Sequence, residues 1–238
     1  MQAFNQTQHQ KFINYFGIKD NPSKIDEHFI NKTIKYTKFI KWIPGIKLIS
    51  IGNSISMNVS KQTSDIDLFI ITSKNRMWFV RILITLIFTI LGQRKTNKYH
   101  AGKFCLSFFC DENSMDFGNF AIKYDIYLYF WIIYLKPILD FDNTYENFIN
   151  SQSWANFGDY KSIINSNKNH IKYFGKSFGN NCKIFGLFDK IFKQFFLPKT
   201  LKHYEKIAKP YGIIINDNML KFHNNDKRIE ISSKLNDI

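Results

Sequence analysis

Cysteine is scarce in this chain of 238 residues: Cys105, Cys110 and Cys182 are the only three. They are too few and too scattered for a disulfide framework or a zinc site. All three read as ordinary buried thiols of a reducing compartment. Cys105 and Cys110, five apart in a predicted strand, are expected on opposite faces. The start, "MQAFNQTQHQKF", lacks the apolar core of a signal peptide. Long uncharged apolar runs are missing too. "WFVRILITLIFTILG" (78–92) falls short of a spanning helix and contains Arg81, while "AIKYDIYLYFWIIYLKPIL" (121–139) holds Lys123, Asp125 and Lys136. Both read as core helices, so no stable membrane insertion is expected and a cytoplasmic location is. A Walker-type phosphate loop, a serine-hydrolase elbow and internal repeats are all absent.

Acidic residues are outnumbered, 19 against 33 Lys+Arg, leaving a formal charge of +14. That balance favours an anionic partner such as a nucleotide, nucleic acid or a membrane surface. It also accompanies a general enrichment in Lys, Asn, Ile and Phe that AT-rich coding alone would produce.

The few acids are placed unusually. In "SIGNSISMNVSKQTSDIDLFIIT" (50–72), Asp65 and Asp67 stand one residue apart at the head of an apolar strand. Alternate strand residues share a face, so the two carboxylates project together. Burying them without a cation is costly, and their mutual repulsion adds to the cost. Hard oxygens in this arrangement suit Mg²⁺ or Mn²⁺, and two such ions about 3.5–4 Å apart would clamp a phosphoryl transfer. The plain alternative is a solvated edge strand. Upstream, strand "IKLISI" (46–51) runs into Gly52-Asn53-Ser54. Gly52 permits close backbone approach, and Ser54 sits where a helix N-cap with phosphate-binding N–H groups is expected.

This pairing resembles the signature of the DNA polymerase β-like nucleotidyltransferase superfamily: Gly-Ser, a spacer, then Asp-x-Asp between apolar residues. "GNS…SDIDLFIIT" followed by "MWFVR" is similar to a group of uncharacterised bacterial nucleotidyltransferase-domain proteins, with thinner likeness in "GKFCLSFF", "YDIYLYFWI" and "LKFHNNDKR". The resemblance implies that Asp65 and Asp67 are catalytic and ligate the metals, and that Gly52, Asn53 and Ser54 bind the nucleotide. The implied reaction moves a nucleoside monophosphate from an NTP such as ATP to an acceptor, which is a small molecule, a protein or an RNA end. Three features depart from the pattern. Asn58 stands where a following glycine is usual. Asn53 replaces a common glycine, and the third carboxylate of active members is missing from "FCLSFFC", where Ser107 stands in its place; Asp111, Glu112 and Asp116 lie just beyond.

The expected fold is α/β (α+β): a polymerase β-like core with a small mixed sheet flanked by helices over 1–120, then a mostly helical region over 121–238. Ser23 is the predicted cap of a helix closed by Pro44-Gly45, and 161–182 is expected to be loop. Lys103, Arg81 and the run "QRKTNK" (93–98) are secondary candidates for phosphate or acceptor contact, as are His223, Asp226 and Arg228. The aromatic helix 124–134 is expected to be core. Two other functions stay open: a nucleotidyltransferase fold that binds without turnover, and a basic nucleic-acid-binding protein.

Overall fold

The computed structural model describes residues 1–179, 182–205, 212–223 and 226–235. Its first half holds α1 (Gln6–Phe16), α2 (Lys24–Ile40), β1 (Ile46–Ile51), α3 (Asn53–Ser56), β2 (Ile66–Thr72), α4 (Met77–Ile90) and β3 (Phe104–Asp111). The second holds α5 (Ile126–Tyr134), β4 (Lys136–Phe141), α6 (Thr144–Asn150), α7 (Lys161–Asn167), β5 (Tyr173–Gly175), α8 (Lys183–Tyr204), β6 (Ile213–Ile215), β7 (Met219–Phe222) and α9 (Arg228–Leu235).

One mixed sheet runs β5-β4-β1-β2-β3-β7-β6. Strand β2 lies at its centre, antiparallel to β1 and parallel to β3. Helices cover both faces, which is why β2 and β3 read as nearly unbroken apolar runs. On one face Phe69, Ile71 and Phe108 pack with α1, α5 and α9; on the other Ile66, Leu68 and Ile70 pack with α2 and α4. Although helices dominate residues 121–238, four of the seven strands also come from there. They join the same sheet: β4 pairs with β1 and β7 with β3. The predicted loop at 161–182 contains α7 and β5. Among the described residues, no helix is long and apolar enough to cross a membrane.

Local rules account for the lead-in. Ser23 caps α2 as predicted: its hydroxyl accepts from Asp26 N–H at 3.2 Å, while Asp26 accepts from Ser23 N–H at 2.8 Å. This reciprocal box satisfies two donors that a helix start leaves open. Ser23→Ala is expected to cost about 1 kcal/mol, read as a lower urea midpoint with an unchanged slope; an unmoved midpoint would show that Asp26 suffices. The apolar face of α2 buries Phe29, Ile30 and Ile40, while Phe39 stays exposed.

Strand β3 is not regular. Asp67 is opposite Cys105, yet Phe69 is opposite Phe108, so β3 carries one extra residue between them. Such a bulge inverts the facing of every side chain beyond it. Cys105 and Cys110 therefore share the sheet face of Asp67 and Ile71, against the alternation expected from their spacing. Cys182 is exposed, and only Cys110 is fully buried.

Candidate functional site

The site gathers at the start of β2, where the chain leaves a turn and enters the sheet centre. Asp65 and Asp67 are both partly buried and sit beside Cys105 on the neighbouring strand. One oxygen from each carboxylate and the Cys105 sulfur all lie within 4.8 Å of one another. Because β2 is flanked by β1 and β3, the solvated edge strand does not apply.

Two cationic or dipolar partners face the acids. Lys95 Nζ approaches Asp65 Oδ2 at 2.5 Å. Asn53 Nδ2 donates to Asp67 Oδ2 at 2.8 Å, and Gly52 N–H donates to the Asp67 carbonyl at 3.0 Å. The turn at 52–54 is thus tied directly to the second aspartate. Burial, then the Asp65 charge, pushes the Asp67 carboxyl up to about 6; Asn53 and Lys95 oppose the rise. Burial likewise drives the Cys105 thiol well above its usual range. It keeps its proton at neutral pH and donates to Ser107 Oγ at 3.3 Å.

The corner is built differently from expectation. Gly52 has φ −116°, within reach of any residue. A Cβ added there would stand 3.1 Å from Trp131 Nε1, so any larger residue requires the indole to give way by a few tenths of an ångström. Asn53 takes the left-handed conformation, φ 55°, which asparagine tolerates better than most residues and glycine best. That conformation suits an asparagine at position 53. Its Oδ1 accepts from Trp131 Nε1 at 2.9 Å and from Tyr127 Oη at 3.3 Å, so its amide points at Asp67. Ser54 is not the N-cap. Gly52 occupies that position, and α3 is a single turn with Ser54 half-buried inside it.

The third carboxylate does not arrive. Asp111 lies at the far end of β3, opposite Thr72. Glu112 pairs with Lys47 at 2.6 Å, and Asp116 is held by Ser153 and the Gly118 N–H. Cys105 stands beside Asp67 instead. Arg81 lies between the rings of Trp78 and Phe222 on the α4 side, and Lys103 Nζ binds the Gly92 carbonyl at 2.6 Å. From the run 93–98, only Lys95 reaches the aspartates.

Beside Asn53 opens a cavity of about 290 Å³, walled by Phe16, Phe108, Tyr127 and Trp131 and by Lys221, His223, Asp226 and Arg228. Three residues of the aromatic helix, Tyr127, Leu128 and Trp131, line it, so that helix is not purely core. His223 places its Nε2 3.4 Å from Ser107 Oγ. Burial and the positive Lys221 lower its pKa to about 4, leaving the imidazole neutral. Lys95 and Cys105 were hidden in the sequence, one inside an ordinary basic run and the other displaced by the bulge. The "KFHNNDKR" segment was the only usable signal for the cavity.

Compared with known proteins, the chain matches no family model, no curated protein and no solved structure.

Proposed function

We propose that this protein is a metal-dependent nucleotidyltransferase, with a polymerase β-like core, that moves a nucleoside monophosphate from an NTP to an acceptor and releases pyrophosphate. The observation that carries the reading is the Asp65–Asp67 pair, side by side and joined to the Gly52–Asn53 turn through Asp67. The donor set fits a hard divalent ion in part. Two carboxylate oxygens are close together, and burial, then the Asp65 charge, disfavours ionisation of Asp67 without a cation. Asp65 and Asp67 would hold Mg²⁺ or Mn²⁺, which when bound would neutralise phosphate charge. The protonated Cys105 thiol is a poor third ligand for such ions. Asn53 orients Asp67, and the Ser54 hydroxyl faces no partner among the described residues that would prevent phosphate contact. The test is transfer of labelled NMP from each NTP to acceptor pools of small molecules, proteins and RNA, with Mg²⁺ present. Absence of transfer under all of these conditions would overturn the enzymatic reading.

One observation favours a second reading, a fold that binds nucleotide without turnover: Cys105 occupies the place beside Asp67 where an acid would serve the acceptor. Calorimetry that shows NTP and Mg²⁺ binding with no transfer would select it.

Lys95 supplies a further check. Its ammonium partly neutralises the acids and competes for Asp65 Oδ2. Lys95→Met is expected to tighten Mn²⁺ binding roughly three- to fivefold, the scale of a solvent-accessible ion pair. Weaker binding in the variant would mean that Lys95 organises the acids rather than competing at them.

A further inference from the structure

The aromatic cavity beside Asn53 has its own chemistry. Its walls are rings: Trp131 and Phe108 stack at 5.5 Å with 27° between planes, and Phe16 and Tyr127 lie 5.7 Å apart. Flat ring walls favour a flat guest. Of the four charged residues that line the cavity, Lys221, Asp226, Lys227 and Arg228, three are held in buried pairs, one of them with Asp125 outside the lining. Lys221 pairs with Asp226 at 2.9 Å, and Arg228 pairs with Asp226 at 3.0 Å and with Asp125 at 2.9 Å. Two cations and two anions cancel there, in a chain whose formal charge is +14. All four paired groups are buried. Lys227 is the lining cation outside these pairs and it stands in solvent, so the buried interior favours a neutral guest. The volume, about 290 Å³, is at the low end for small-molecule sites and too small for a folded protein segment.

The cavity also has a direction. Asn53, Phe108, Trp131 and His223 line both the cavity and a gap of about 10 Å³ that reaches Gly52 and Asp67. His223 brings a neutral ring nitrogen to that gap, and Ser107 a hydroxyl. These are polar groups suited to a hydroxyl held near the acids.

We propose that this cavity binds a neutral, planar heteroaromatic alcohol, its ring between Phe16, Tyr127 and Trp131 and its hydroxyl at the His223–Ser107 end toward Asp67. Binding of the ring stands on the cavity alone. Its assignment as the acceptor rests on the nucleotidyltransferase reading, and it selects a small molecule over a protein or an RNA end. In that reading its hydroxyl oxygen would bond the α-phosphorus of the NTP while the bond to pyrophosphate breaks and the hydroxyl proton passes to solvent.

Calorimetry on the full chain in EDTA, with adenosine and indole-3-ethanol as probes and glucose as a non-planar control, tests this. One-site, saturable binding of at least one ring compound is expected, retained in Asp65→Asn/Asp67→Asn. Phe16→Ala and Tyr127→Leu, each verified as folded by near-ultraviolet circular dichroism, are expected to weaken it at least tenfold. Phe16→Ala at the partly buried wall keeps the test usable if Tyr127→Leu fails to fold. The proposal is overturned if neither ring compound saturates at millimolar concentration, if glucose binds more tightly, or if the folded cavity variants bind as the parent does. Ring binding without any NMP transfer would remove the acceptor assignment and the enzyme together, yet leave the cavity assignment standing. Transfer to an acceptor with no ring binding would remove both the cavity and the acceptor assignments and leave the enzyme standing.

Discussion

Asp65→Asn and Asp67→Asn are each expected to lower NMP transfer about a hundredfold or more, and to weaken Mn²⁺ binding in parallel. The scale is that of losing a group aimed at charge developing in the reaction. Asparagine preserves shape and loses the anion, so the effect isolates charge. Stability separates this from unfolding. The folded Asp67 carboxyl lies near 6, above its ordinary value of 3.8, so its ionised form is disfavoured in the fold. Stability from this group is full below about pH 4 and is lost as pH rises through 6. At pH 7 the metal-free Asp67→Asn protein is therefore expected to be at least as stable as the parent, by up to about 1–2 kcal/mol after allowance for solvent screening. Mn²⁺ should raise the melting temperature of the parent and not of the variants. Undiminished Mn²⁺ binding in both variants would refute the metal site.

Arg228→Met is expected to be the most damaging single substitution for stability, at about 3–5 kcal/mol. Arg228 reaches Asp226 and the wholly buried Asp125, which also caps α5 by accepting from Leu128 N–H at 3.0 Å. Removing the guanidinium leaves those carboxylates short of a partner in a medium that penalises lone charge. Burial already raises the Asp125 carboxyl even with Arg228 in place. Without it, Asp125 should take up its proton at still higher pH than in the unfolded chain, while Asp226 keeps Lys221 as its partner. The variant's deficit is then largest at neutral pH and shrinks as pH falls toward 5. Urea midpoints at pH 7 and pH 5 measure this. A deficit below about 1 kcal/mol, or one that grows with acid, would contradict the buried network. Arg228→Lys should not restore the loss, because an ammonium cannot reproduce the guanidinium's fork.

The elements nearest the aspartates were legible because their signals are local. Period-two facing placed Asp65 and Asp67 together, the Ser23–Asp26 box marked the start of α2, and apolar runs gave β1, β2 and β3. The helical appearance of residues 121–238 concealed β4 and β7, short strands whose identity depends on partners far away in sequence. Cys105 was misplaced for the same reason. Its facing follows from a bulge that exists only once β3 pairs with β2.

The amino-acid order by itself determined that two acids share one strand face next to a tight turn, since backbone geometry over a few residues dictates both. Only the tertiary structure decided what meets them: a lysine from one loop, a thiol from the next strand, and an aromatic cavity closed by the far end of the chain. Those encounters follow from sheet register and from the burial of charge pairs such as Arg228–Asp125, which no local pattern encodes.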